Sequence, residues 1–291
     1  METAEILKKV RKIEIKTRGL SHQVFSGHYH SAFKGKGMAF SEVREYQYGD
    51  DIRSIDWNVT ARFNHPFVKI FDEERELTVM LVIDVSGSNE FGTKAQLKEE
   101  LMTEIAAVLA FSAIQNNDKV GVIFFSDKVE KFIPPKKGKT HILRIIRELI
   151  DFHPQSQKTN ISEGLRYLSN ALKKKCIAFV ISDFMDHDFE QSLRIASRKH
   201  DIVAVRVVDQ RESELPNVGM IKVFNKESGK TMWIDTNDPG LRSNYRSNWQ
   251  RTEQSLGQMF KRLGIDTATI ATGENYVKPL VNLFKVRESR F

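Results

Sequence analysis

The chain has 291 residues, 40% of them apolar and 29% charged, with a net charge of +7 and a single cysteine. That length and balance fit one large globular domain with an extra segment and exclude a mainly disordered chain. The longest apolar runs, residues 77–83 and 177–181, fall far short of the ~20 residues a membrane helix needs. Cys176 stands alone, so an intrachain disulfide is excluded and a reducing compartment is expected.

The N-terminal stretch METAEILKKVRKIEIK reads as a short charged helix without the apolar core of a secretory signal, which predicts a cytoplasmic protein. Residues 13–75 are rich in glycine, aromatics and charges and read as an irregular β-rich segment. Phe40, Tyr46, Tyr48, Trp57, Phe63 and Phe67 are too many to leave in water, at ~1.5–3 kcal/mol for each large side chain buried. Residues 1–75 are therefore expected to pack as an extension on a main domain at 76–291.

From residue 77 onward, apolar strands alternate with amphipathic helices. The strand at 77–83 precedes a capping-box pattern at Thr93 and Gln96 and a helix to about Gln115. Strands follow at 119–126, 176–182 and 202–208, separated by helices at about 141–151, 161–174 and 189–199. Asn160 and Glu163 form a second capping box, and Asp188 is placed to cap the third helix. The stretch IPPKKGK at 133–139 reads as a turn. A hairpin at 220–235, a long helix at 241–263, a strand at 265–271 and a short helix near 276–286 complete the chain. Strands apolar at every residue predict a doubly wound, mainly parallel α/β sheet covered on both faces.

Ligands of such a sheet bind beyond the carboxyl ends of its strands, where the strand order reverses. Asp84 ends the strand at 77–83, with Ser86 and Ser88 just beyond it. Asp183 ends the strand at 176–182, and Thr159 lies in the loop before the helix that leads into that strand. If the two strands are neighbours, all five oxygen side chains meet. Carboxylates and hydroxyls are hard ligands that suit Mg²⁺ or Mn²⁺ and suit zinc or copper poorly. D-x-S-x-S alone also describes Asp and Ser capping the next helix, but the five residues in order, each at a strand end or in a helix-leading loop, form a more specific pattern.

Asp84-x-Ser86-x-Ser88, Thr159 in KTNISEGL and Asp183 in VISDF resemble the metal-ion-dependent adhesion site of von Willebrand factor A domains. The resemblance implies one divalent cation held by these five residues, some through water, with a further position for a carboxylate from a protein partner. A second resemblance covers almost the full length. FSEVREYQYGDDIRSIDWNVTAR at 40–62, the following VKIFDEERELTVMLVIDVS and the later SGKTMWIDTNDPGLRSNYRSNW look like the bacterial family called domain of unknown function 58. That resemblance implies a von Willebrand factor A-like domain with an N-terminal β extension. It further implies a non-enzymatic adaptor or co-chaperone acting with a MoxR-type AAA+ ATPase.

Other motifs yield less. The three aspartates, Arg53 and Trp57 of GDDIRSIDW suggest a carboxylate pair, but a tight turn at Gly49-Asp50 with a local ion pair explains them more simply. His28 and His30 lack a third ligand at zinc spacing, GKGMAF lacks the order of a phosphate loop, and G-x-S-x-G is absent. Of Asp183, Asp186 and Asp188, only Asp183 is expected to face the sheet edge. Residues 127–175 carry 12 Lys/Arg against 5 Asp/Glu, yet no aromatic–basic interleaving accompanies them, so nucleic acid is not an expected partner. Lys136, Lys137 and Lys139 would steer an acidic partner if they lie on the edge that carries Asp84. A Mg²⁺-dependent hydrolase or phosphotransferase is the competing expectation. Ser86 stands where an aspartyl-nucleophile phosphatase needs its second carboxylate, which counts against it.

Overall fold

The computed structural model describes residues 37–74, 77–87, 97–225 and 230–289. The predicted N-terminal helix, His28, His30 and the capping box at Thr93 and Gln96 lie outside the described residues. The chain divides into two compact units, one within Lys34–Leu77 and one containing Thr78–Phe291.

In the smaller unit, β1 (Gly37–Glu45) and β2 (Phe67–Glu74) pair antiparallel, with Arg44 opposite Val68 and a register shift between Phe40 and Glu42. Helix α1 (Trp57–Phe63) lies between them and stops at Asn64, whose φ of 58° is left-handed. The aspartates of GDDIRSIDW all serve local structure. Both Asp50 oxygens take a nitrogen of Arg44 at 2.8 Å, Asp51 accepts from the Arg53 amide, and Asp56 caps α1 through the Asn58 and Val59 amides. The expected turn at Gly49-Asp50 is present, with Gly49 at a φ of 110° that a side chain would strain, and the ion-pair partner is Arg44. Within this unit Tyr48, Trp57 and Phe63 stand exposed.

The larger unit contains β3 (Thr78–Asp84), α2 (Lys98–Gln115), β4 (Lys119–Phe125), β5 (Val129–Lys136), α3 (Lys139–Ile150), α4 (Ile161–Ala171), β6 (Ile177–Ser182), α5 (Glu190–Lys199) and β7 (Asp201–Val208). It continues with β8 (Met220–Asn225), β9 (Lys230–Asp235), α6 (Pro239–Leu263), β10 (Asp266–Ala271) and α7 (Val277–Glu288). Six strands form one sheet in the order β10-β7-β6-β3-β4-β5, parallel except for β5. β8 and β9 make the expected separate hairpin. This is a doubly wound α/β fold.

The apolar runs become strands because both faces of the sheet are covered. On one face Ile161, Leu165 and Leu168 of α4, Leu193 and Ala196 of α5, and Leu256 and Phe260 of α6 pack on Met80, Val82, Ala178, Val180 and Ala204. On the other, α2 is buried on almost every side from Leu101 to Ala113, and Phe284 of α7 meets Phe179 of β6 ring to ring. β5 is the strand that the sequence conceals. Pro134 and Pro135 suit an edge strand and read as a turn in isolation.

Chain direction makes the site. β3 leads outward to β4, whereas β6 leads the other way to β7, so the loops leaving these adjacent strands diverge and open a crevice at their carboxyl ends. Seating the edge strand requires a glycine: a methyl on Gly121 of β4 would lie 2.7 Å from Met80 Sδ and 2.9 Å from both the Ile133 carbonyl and the Pro135 nitrogen. Gly121→Ala is expected to cost about 1–3 kcal/mol in urea unfolding, because backbone atoms must move. A neutral result would contradict this packing of β5 on β4.

Candidate metal centre

Asp84 and Asp183 both lie in the crevice and both are buried, each 2% exposed. Asp84 ends β3 and accepts hydrogen bonds from two neutral donors, the Ser86 amide at 2.9 Å and the Ser182 hydroxyl at 2.7 Å. The second bond crosses from β6 to β3 and ties the two carboxylate-bearing strand ends together. Asp183 follows β6 directly. Its Oδ1 accepts from the Met185 amide at 3.1 Å, and its carbonyl accepts from Arg206 Nε at 3.0 Å. Phe184 next to it sits at a φ of 57°, uncommon for a bulky residue, and is held there by the Ser182 hydroxyl on its amide and by Phe189 and Phe260 around its ring. The turn that aims Asp183 is thus fixed from both sides.

Ser86 is buried beside Asp84. Thr159 is half-buried in the loop before α4, and that loop is fastened to the same edge of the sheet. The Gly87 amide donates to the Gln157 carbonyl at 3.1 Å, and the Asn160 amide to the Ser126 carbonyl at 2.9 Å. Asp186 ties the third loop to this one by accepting from the Ile161 amide at 2.7 Å. Ser88 lies outside the described residues. No such role is expected of Asp186 from the sequence, yet it satisfies the first amide of α4. Asp188 does not cap α5: it adopts a left-handed φ of 59°, and Phe189 occupies the cap position without a side-chain hydrogen bond. An N-cap residue typically takes the β region of backbone space, which Asp188 does not occupy.

Burial, and then the nearby charge of Asp183, push the Asp84 carboxyl up to about 6. Two carboxylates taken out of water side by side repel, and a bound proton or cation relieves them. Sequence reasoning missed the cation that is present. Lys98, in the first turn of α2, is fully buried and donates to Asp183 Oδ2 at 2.9 Å and to Glu212 Oε1 at 2.6 Å. Burial alone would lower its ammonium, but the two carboxylates outweigh that and raise it, so it stays charged. The only sequence signal was a lysine at a helix start, where the helix dipole disfavours positive charge.

The donor set fits a hard dication. Among the described residues no group of three or more His, Cys, Asp or Glu side chains is placed to hold a metal. A centre here must therefore combine Asp84 and Asp183 with hydroxyls, as Ser86, Ser88 and Thr159 would supply, a poor set for zinc and a good one for Mg²⁺ or Mn²⁺. The basic stretch does not belong to it. β5 is antiparallel, so Lys136 pairs with Val120 at the start of β4, whereas Asp84 pairs with Phe125 at its end. The steering role considered for Lys136, Lys137 and Lys139 is thereby overturned.

Residues 42–255 match the family model described as "Protein of unknown function DUF58". The chain belongs to this family. An uncharacterized protein of Mycobacterium bovis is 26% identical over 281 residues, which cover 96% of this chain and 88% of that one. Among solved structures, an aerotolerance-related membrane protein from Bacteroides fragilis shares the fold with a TM-score of 0.52 at 15% identity, over 74% of this chain and all of that one. The von Willebrand factor A domain of SpRpn10 aligns with a TM-score of 0.41 at 11% identity, over 71% of this chain and 94% of that one. The DUF58 chain has a doubly wound α/β fold, with Asp84 and Asp183 at the point where the strand order reverses. Among the described residues no helix is long and apolar enough to cross a membrane.

Asp84 bears on stability as well as on chemistry. Its carboxyl is raised in the fold, so the stability it lends is complete below the unfolded value near 4 and is lost as pH rises through about 6. Without divalent ions, Asp84→Asn should therefore be more stable than the parent at pH 7 by about 1–3 kcal/mol, with the difference shrinking towards pH 4. Chemical denaturation of both proteins across that range measures it. A parent as stable as the variant at pH 7 would show that the charge costs the fold nothing.

Proposed function

We propose that this protein is a non-enzymatic, divalent-metal-dependent protein-binding module. The observation that carries the reading is the burial of Asp84 and Asp183 at adjacent strand ends, where the charge of Asp183 adds to burial in raising the Asp84 carboxyl. A dication offsets that repulsion, and hydroxyls at Ser86, Ser88 and Thr159 would complete the set that holds one Mg²⁺ or Mn²⁺. When bound, the ion would supply a Lewis-acidic position open to one outside oxygen ligand.

The chain's own residues prepare that position. Ser182 and the Ser86 amide orient Asp84, while Lys98 and the Met185 amide orient Asp183. Neither carboxylate needs to reorganise when an anion approaches. A partner Asp or Glu would gain an ionic bond at that position and a neutral side chain much less, so recognition would favour an acidic residue. By its family resemblance the partner is a MoxR-type AAA+ ATPase, with this chain as adaptor or co-chaperone in the cytoplasm.

Binding of the purified chain to such an ATPase should be at least ~10-fold weaker in EDTA than in Mg²⁺, and Asp183→Ala and Ser86→Ala should each weaken it to a similar degree in Mg²⁺. Biolayer interferometry reads all four conditions. Affinity unchanged by both chelation and mutation would move partner recognition away from this crevice.

A further inference from the structure

Lys98 makes the centre unusual in its charge. Its ammonium is fully buried, 2.9 Å from one carboxylate of the proposed centre and 2.6 Å from Glu212. Glu212 is itself anchored by two further hydrogen bonds, and one of its partners is anchored in turn. Its second oxygen accepts from the Asp209 amide at 3.0 Å, its carbonyl accepts from the Tyr245 hydroxyl at 2.9 Å, and Asp209 is held by Thr272 at 2.5 Å. A flexible lysine is thus pinned at a helix start, beside Glu99 and Glu100, where a cation works against the dipole. Merely filling space there would be done at less cost by an apolar side chain, since burying an ion pair is expensive.

We propose that Lys98 is a resident cation of the centre. Its charge sets how weakly a dication binds, and Glu212 sets how much of that charge the centre feels. The inference rests on the metal reading above. Asp84 and Asp183 together neutralise a dication, and the ammonium adds positive charge that Glu212 offsets in part. Lys98 therefore weakens dication binding, keeps the ion exchangeable and tilts the loaded centre towards an anionic ligand. A purely architectural lysine would act with the opposite sign, because its loss would disorder Asp183 and weaken the metal.

Calorimetric titration of Mg²⁺ into full-length protein separates the two. With Lys98 tuning the centre by its charge, Lys98→Met binds Mg²⁺ about 10-fold tighter than the parent, and Glu212→Gln binds several-fold weaker, roughly as a nearby unit charge demands. The double variant Lys98→Met/Glu212→Gln falls between Lys98→Met and the parent. It leaves no carboxylate at 212 to be stranded, so it stands in if Lys98→Met alone fails to fold. The thermal midpoint gained on adding Mg²⁺ is an independent readout and should be larger in both Lys98→Met proteins than in the parent. Equal or weaker binding by the lysine variants overturns the proposal and leaves the metal reading intact. Binding by Lys98→Met with none by the parent supports the proposal and refutes the metal reading for the natural chain. Binding by no variant and not by the parent refutes both.

Discussion

Two carboxylates are held out of water at the ends of neighbouring strands, and most of what surrounds them follows from that constraint. Burial and the nearby charge of Asp183 both disfavour a charged Asp84 there. Around them the chain places short hydrogen-bond donors: Ser182 and the Ser86 amide on one carboxylate, the Met185 amide and Lys98 on the other. The left-handed turn at Phe184 and the linked loops at Gly87, Gln157, Ile161 and Asp186 keep this geometry from relaxing into solvent. A fold that merely needed to be stable would put apolar or neutral groups at these positions.

The sheet supplies the rigidity that such a site requires. β3 and β6 are buried along their lengths and covered by helices on both faces, so their ends move little relative to each other. Their loops carry the polar side chains of the site, and the strand order reverses between them. The same topology holds Lys136 of β5 at the opposite end of β4 from the residue that pairs with Asp84.

The parallel core was legible because a strand covered on both faces must be apolar at every residue, as the stretch from Leu77 to Ile83 is. Asp84 and Asp183 were legible because each interrupts such a run at its carboxyl end. Long-range partners were not. Lys98 meets Asp183 from 85 residues away and Glu212 from 114, and no local pattern encodes those contacts. β5 was hidden by Pro134 and Pro135, whose turn signal holds anywhere but at a sheet edge. Asp188 misled because a residue's suitability as a cap depends on a backbone conformation that its identity does not reveal.

Mn²⁺ is both a suitable hard cation and its own spectroscopic probe, so electron paramagnetic resonance of Mn²⁺ titrated with the full-length chain tests the central claim most directly. The expected result is loss of the free-ion signal to one site per chain, displaced by excess Mg²⁺ and abolished in Asp84→Asn/Asp183→Asn. A free-ion signal unchanged by the protein, or reduced equally by the double variant, would contradict a cation held between these two aspartates.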